Sequence, residues 1–89
     1  GDTYDMVCAA VSALTQTAVN ALEAVAGFEP QVEVKDGFLS CFLPEDLAER
    51  RRETAEIILR SSLVGLKDIE EAYPKYVRVQ IRNGGKANA

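Results

Sequence analysis

The segment Gln31-Val32-Glu33-Val34-Lys35-Asp36-Gly37-Phe38-Leu39-Ser40-Cys41-Phe42-Leu43 holds two β-rich runs joined by Asp36-Gly37. That dipeptide suits a type I′ turn, because both central residues of such a turn take positive φ. The segment predicts a hairpin of strands Gln31 to Lys35 and Phe38 to Leu43. Leu39, Cys41 and Leu43 alternate onto one face, which assigns Cys41 to the core.

Helical patterns flank the hairpin. Upstream, Val7, Val11, Leu14, Ala18, Leu22 and Val25 recur at spacings of three and four, one stripe of an amphipathic helix from about Asp5 to Ala26. Thr3 or Asp5 is the expected N-cap and Gly27 the stop. Downstream, Pro44 with Glu45 and Asp46 is expected to open a second helix that stops at Tyr73, before Pro74. Its buried stripe is Ala55, Leu59, Leu63, Leu66, Ile69 and Tyr73, and Ser61, Ser62 and Gly65 are small enough to admit a close neighbour. Val77, Val79 and Ile81 then alternate with polar residues, which predicts a strand over Tyr76 to Ile81.

The order helix, strand, strand, helix, strand gives an α+β fold, two helices packed on a small, mostly antiparallel sheet. Residues 1–82 form the expected domain and 83–89 a flexible tail. Three strands make a meagre sheet, so one or two further strands are expected upstream of Gly1, which is not an initiator methionine.

At 89 residues, with 47% hydrophobic and 27% charged side chains, the chain has the balance of one ordinary globular domain. A domain this small buries only roughly 60 to 65% of its unfolded surface, and self-association into a dimer is a reasonable expectation. The net charge of −4 is uneven. Residues 1–45 carry seven acids against Lys35 alone, while 46–89 carry seven acids against nine bases. The acidic half repels phosphate backbones and suits a basic peptide, which argues against direct nucleic-acid binding near Cys8. No run is long and apolar enough to span a membrane. Two cysteines without a secretory segment point to a reduced cytoplasmic setting rather than a disulfide framework.

Cys8 carries the chemical interest. Placed in the first turn of a helix, its thiolate would be favoured by the unpaired amides and the positive end of the dipole. The same position suits a small structural thiol in an Ala-rich turn, and both readings stay open on residue chemistry. Cysteine hydrolases normally use a histidine as base and acid, and the sequence has none. Two distant cysteines without histidine do not make a metal site, and no cofactor motif occurs. Arg50, Arg51 and Arg52 lie between Glu49 and Glu53 at helix-surface spacings and read as a solvated face.

The segment Asp5-Met6-Val7-Cys8-Ala9-Ala10-Val11-Ser12 resembles the bacterial ribosomal-processing cysteine proteases, in which a helix opens with Asp-x-Val-Cys-Ala-x-x-Ser. Ser62 to Pro74 is similar to that family's second helix, and Phe28-Glu29-Pro30 and the strand after Tyr76 fall in matching places. The resemblance implies a cytoplasmic homodimeric endopeptidase that removes the N-terminal extension of the precursor of ribosomal large-subunit protein twenty-seven. It makes Cys8 the nucleophile, with Asp5 and Ser12 shaping or orienting its site. Backbone amides of the first turn are the expected oxyanion donors. The family's histidine lies in a Gly-His-Ala turn about a dozen residues before the cysteine. Here it is expected upstream of Gly1, so these 89 residues alone are expected to be inactive. The alternatives are a non-catalytic dimeric module on the ribosome and, more remotely, a thiol redox sensor.

Overall fold

A computed structural model of the chain describes residues 1–35 and 38–79, and only the backbone of 34, 35, 38 and 39. Helix α1 spans Asp2–Ala21 and passes directly into a π-helical segment, Leu22–Ala26. Strands β1, Gln31–Lys35, and β2, Phe38–Phe42, form an antiparallel hairpin, and helix α2 spans Glu49–Ala72. The fold is α+β in character: two helices with a two-stranded antiparallel sheet between them in chain order.

The hairpin pairs Gln31 with Phe42, Val32 with Cys41 and Glu33 with Ser40, the register its alternation requires. Its Asp36-Gly37 turn lies outside the described residues. The helices pack on one another along much of their length. The hairpin joins them near the end of α1, where Leu22, Ala26 and Ala55 form a buried cluster surrounded by Phe28, Cys41, Leu43, Ile58 and Leu59. Leu22 is fully buried there, worth about 1.5–3 kcal/mol relative to exposure.

The end of the first helix departs from the predicted stripe. Val25 is 67% exposed and Ala26 only 4%. In the π-helical segment the amide of Gly27 donates to the Leu22 carbonyl, an i to i+5 bond that puts more than four residues into the turn. Ala26 therefore comes round over Leu22, and Val25 rotates out. Gly27 ends the segment with φ +80°, the left-handed conformation that glycine takes without a side-chain penalty. The guanidinium of Arg51 donates to its carbonyl at 2.6 Å.

The second helix begins at Glu49 rather than at Pro44. Residues 44–47 instead turn back, with the Leu47 amide donating to the Pro44 carbonyl at 3.4 Å. Arg52 holds this turn from α2, donating to the Pro44 carbonyl at 2.6 Å. Arg51 and Arg52 are thus staples for the two ends of the hairpin connection, while Arg50 is exposed. The helix ends where expected: Tyr73 has φ −134° and ψ 61°, outside the helical region, as a residue before proline tends to be.

No strand forms over Tyr76 to Val79. The amides of Tyr76 and Val77 both donate to the Tyr73 carbonyl, at 3.0 and 3.2 Å, and the Val79 amide donates to the Glu70 carboxylate at 3.0 Å. These bonds wrap the segment against the end of α2 and use amides that a sheet ladder would need. Gln80 and Ile81, the rest of the expected strand, lie outside the described residues, as does the expected tail over 83–89. Among the described residues no helix is long and apolar enough to cross a membrane.

Candidate active site on the first helix

Helix α1 starts earlier than its capping signals predict. Asp2 is its first residue, neither Thr3 nor Asp5 caps it through a side chain, and the Asp5 amide already donates to the Gly1 carbonyl at 3.1 Å. Asp2 and Asp5 occupy the acidic first turn, where carboxylates complement the helix dipole. Cys8 lies within this helix.

Cys8 is an exposed free thiol. It is flanked in sequence by Val7, which is almost completely buried, so the helix is anchored on one side while its sulfur faces solvent on the other. Asp5 and Ser12 are also exposed, at positions three before and four after Cys8. Such spacings put side chains on one helical face. The fold thus brings the three sequence-derived residues to one surface strip. Ser12 also accepts a hydrogen bond at its carbonyl, from the Thr15 hydroxyl at 3.1 Å.

A fourth residue on this strip was not singled out from the sequence. Tyr4 is exposed one turn before Cys8, at a spacing that puts the two side chains on one face. The neighbouring Cys8 side chain pushes the phenol's pKa above its usual value, with lesser contributions from burial and Asp5. The Tyr4 ring also meets Tyr76 edge to face, with centroids 6.0 Å apart and planes at 61°. The i, i+4 spacing of Tyr4 and Cys8 was the available signal, but the involvement of Tyr76 required the fold.

Cys41 is a different kind of thiol. It packs half-buried against the Leu22, Ala26 and Ala55 cluster, and burial pushes its pKa up. It is protonated and structural, whereas Cys8 is open to a reactant. Among the described residues no three histidine, cysteine, aspartate or glutamate side chains come together as metal ligands.

An exposed cysteine beside a carboxylate and a hydroxyl on one helix face fits nucleophilic chemistry, and comparison with known proteins agrees. Residues 1–78 match the family model described as cysteine protease Prp. The ribosomal processing cysteine protease Prp of Bacillus subtilis (strain 168) is 36% identical over 77 residues, covering 84% of this chain and 69% of that protein. The crystal structure of SMU.848 from Streptococcus mutans superposes with a TM-score of 0.76 at 28% identity, covering 91% of this chain and 72% of that one. The match runs through both helices and includes the Cys8 strip, and on these grounds the chain belongs to the Prp family of ribosomal-processing cysteine proteases.

Proposed function

We propose that the protein is a cysteine endopeptidase that trims the N-terminal extension from the precursor of ribosomal large-subunit protein twenty-seven, with Cys8 as its nucleophile. The observation that carries this is the exposed Cys8 in a chain of the Prp family. In the proposed reaction a histidine takes the thiol proton, and the thiolate adds to the scissile carbonyl. The acylated cysteine forms as the protonated amine leaves, and water then releases the acid and restores the thiol. Asp5 and Ser12 orient groups around the sulfur. These 89 residues contain no histidine, so the proposed base is not among them.

The acidic character of residues 1–45 favours a lysine-rich substrate peptide over nucleic acid. A precursor made for ribosome assembly places the enzyme in the cytoplasm. Ile57 and Val64, exposed seven residues apart on α2, support a homodimer. Light scattering of the full-length protein tests that state, and a monomer at micromolar concentration would reject it.

The function itself is tested by incubating the precursor with full-length wild-type protein and with Cys8→Ala, following the mass of the product. Wild type releases the extension, and the variant does not. Equal cleavage by both would remove Cys8 from the reaction, while no cleavage by either would reject this substrate.

A further inference from the structure

Tyr4 and Tyr76 leave an aromatic surface open beside the Cys8 strip. Their rings meet edge to face with centroids 6.0 Å apart, yet Tyr4 remains 52% and Tyr76 46% exposed. An aromatic pair that only staples two segments together hides its rings. This one joins α1 to the segment after α2 and still presents both rings to solvent, the kind of amphipathic surface that recognises other molecules.

The pair stands at a useful distance from the thiol. Tyr4 and Cys8 are four residues apart on α1, a spacing that puts them on one helical face and about 6 Å apart along the axis. Cys8 is exposed as well. An extended peptide advances about 3.3 Å per residue. A chain laid along the strip with one carbonyl at the sulfur therefore brings a side chain one or two residues away to the rings. Tyr76 is held in place for this, since its amide donates to the Tyr73 carbonyl at 3.0 Å and the Val79 amide donates to the Glu70 carboxylate at 3.0 Å. Lys75 and Arg78, exposed on either side of Tyr76, disfavour a basic side chain at this end of the strip. An apolar one meets the rings without that penalty.

We infer that Tyr4 and Tyr76 form a side-chain subsite of the proposed protease, which takes an apolar residue of the substrate one or two positions from the carbonyl that Cys8 attacks. The inference rests on Cys8 being the nucleophile and adds what sets the register of the peptide against it. A chain on an open helix face can slide along the axis, and attack requires one carbonyl to be held at the sulfur. Seating an apolar side chain on the rings stops the slide. The contact is made before and during the reaction alike, so it strengthens substrate binding rather than the chemical step.

The experiment follows alkylation of Cys8 by peptide mass in full-length wild type, Tyr4→Ala, Tyr4→Phe and Tyr76→Ala. Three reagents are compared: iodoacetamide, iodoacetamide carrying an N-benzyl group, and iodoacetamide carrying an N-aminoethyl group. Wild type is expected to prefer the benzyl reagent over iodoacetamide by about two- to tenfold, the worth of one aromatic contact. Both alanine variants lose that preference, and Tyr4→Phe keeps it. The ratio of two reagents on one variant cancels any change in the thiol itself, so a pair that merely held the fold together would not move it. For the precursor, KM rises by a similar factor in the alanine variants while kcat is kept. An unchanged reagent ratio or an unchanged KM in both alanine variants overturns the subsite. So does a wild-type preference for the aminoethyl reagent, which would make it a site for a basic residue. Tyr4→Ala lies on an exposed turn and keeps good helix propensity, so the test stands even where thermal melts show that Tyr76→Ala loosens its segment. Full precursor cleavage by Cys8→Ala overturns the nucleophile assignment instead, and leaves the reagent ratio, which needs no catalysis, as it was.

Discussion

Leu14 seats its side chain directly against Gly65: a Cβ added to Gly65 would stand 3.0 Å from one Leu14 methyl and 3.4 Å from the other. The small residue is what lets α1 and α2 approach at this level. Gly65→Ala sets the better helix propensity of alanine, up to about 1 kcal/mol, against displacement of a flexible leucine tip, and is expected to be nearly neutral. Gly65→Val cannot be absorbed in this way and should destabilise by about 1–3 kcal/mol. Urea unfolding of the two variants checks this, and equal stability of Val and Ala would show that the helices separate freely.

Leu22 is the best-buried large side chain, enclosed where the π-helical segment, α2 and the hairpin meet. Leu22→Ala is expected to cost about 2–5 kcal/mol. In a small domain of ordinary marginal stability, that loss should leave much of the chain unfolded at room temperature. Val25→Ala, three residues on and exposed, should change stability little. Circular dichroism melts distinguish the π-helical winding from an α-helical one, in which Val25 would be the buried member.

Arg51 joins the end of the first helical region to the start of the second through the Gly27 carbonyl. The bond is exposed, so Arg51→Ala should cost no more than about 1 kcal/mol. Gly27→Ala forces a side chain into the left-handed region and should cost about 1–2 kcal/mol. The two share one contact, and a double-mutant cycle should show them to be non-additive.

The two thiols should separate by pH and rate. Cys41 ionises above the usual thiol range because it is buried. Below about pH 8.5, the ordinary thiol value, a neutral alkylating reagent should label Cys8 first, as peptide mass analysis would reveal. The sign for stability follows from the same shift. A thiol whose folded pKa is raised contributes stability that is fully present below its unfolded value and is lost as pH rises through the folded value. Cys41→Ser should therefore flatten the decline in stability on the alkaline side of about pH 8.5.

Tyr4 should report on Cys8 in an alkaline titration. Its phenol ionises above the usual value mainly because of the sulfur beside it. Cys8→Ala should bring the midpoint down toward the ordinary value of about 10, followed by phenolate absorbance with Tyr73 and Tyr76 replaced by phenylalanine in both backgrounds. An unchanged midpoint would mean that the two side chains do not meet in solution.

Much of this molecule is legible in residue order. The alternation of residues 31–43 and the spacing of the apolar residues on either side give the hairpin and both helices, because strand and helix periods are local properties of the chain. The Asp-x-Val-Cys-Ala-x-x-Ser run gives the family and the Cys8, Asp5 and Ser12 strip for a related reason, since all three positions sit within two turns of one helix. Local signals fail at the joints. Pro44 and its acids look like a helix start, yet the segment turns back and is held by Arg52. Val77 and Val79 alternate like a strand, yet backbone and carboxylate acceptors on α2 take amides of that segment.

What depended on the tertiary structure was everything that required two distant segments to meet. Val25 was displaced by a winding change at the end of α1, where Leu22 and Ala26 pack against Ala55 of the second helix. Tyr76, seventy-two residues from Tyr4 in the chain, reached it because α2 folds back along α1 and its last turn holds the following segment in place. The Cys8 strip is written in a short run of sequence. Its environment is set by packing, because a side chain on an open helix face takes its neighbours from whatever the rest of the chain brings to it.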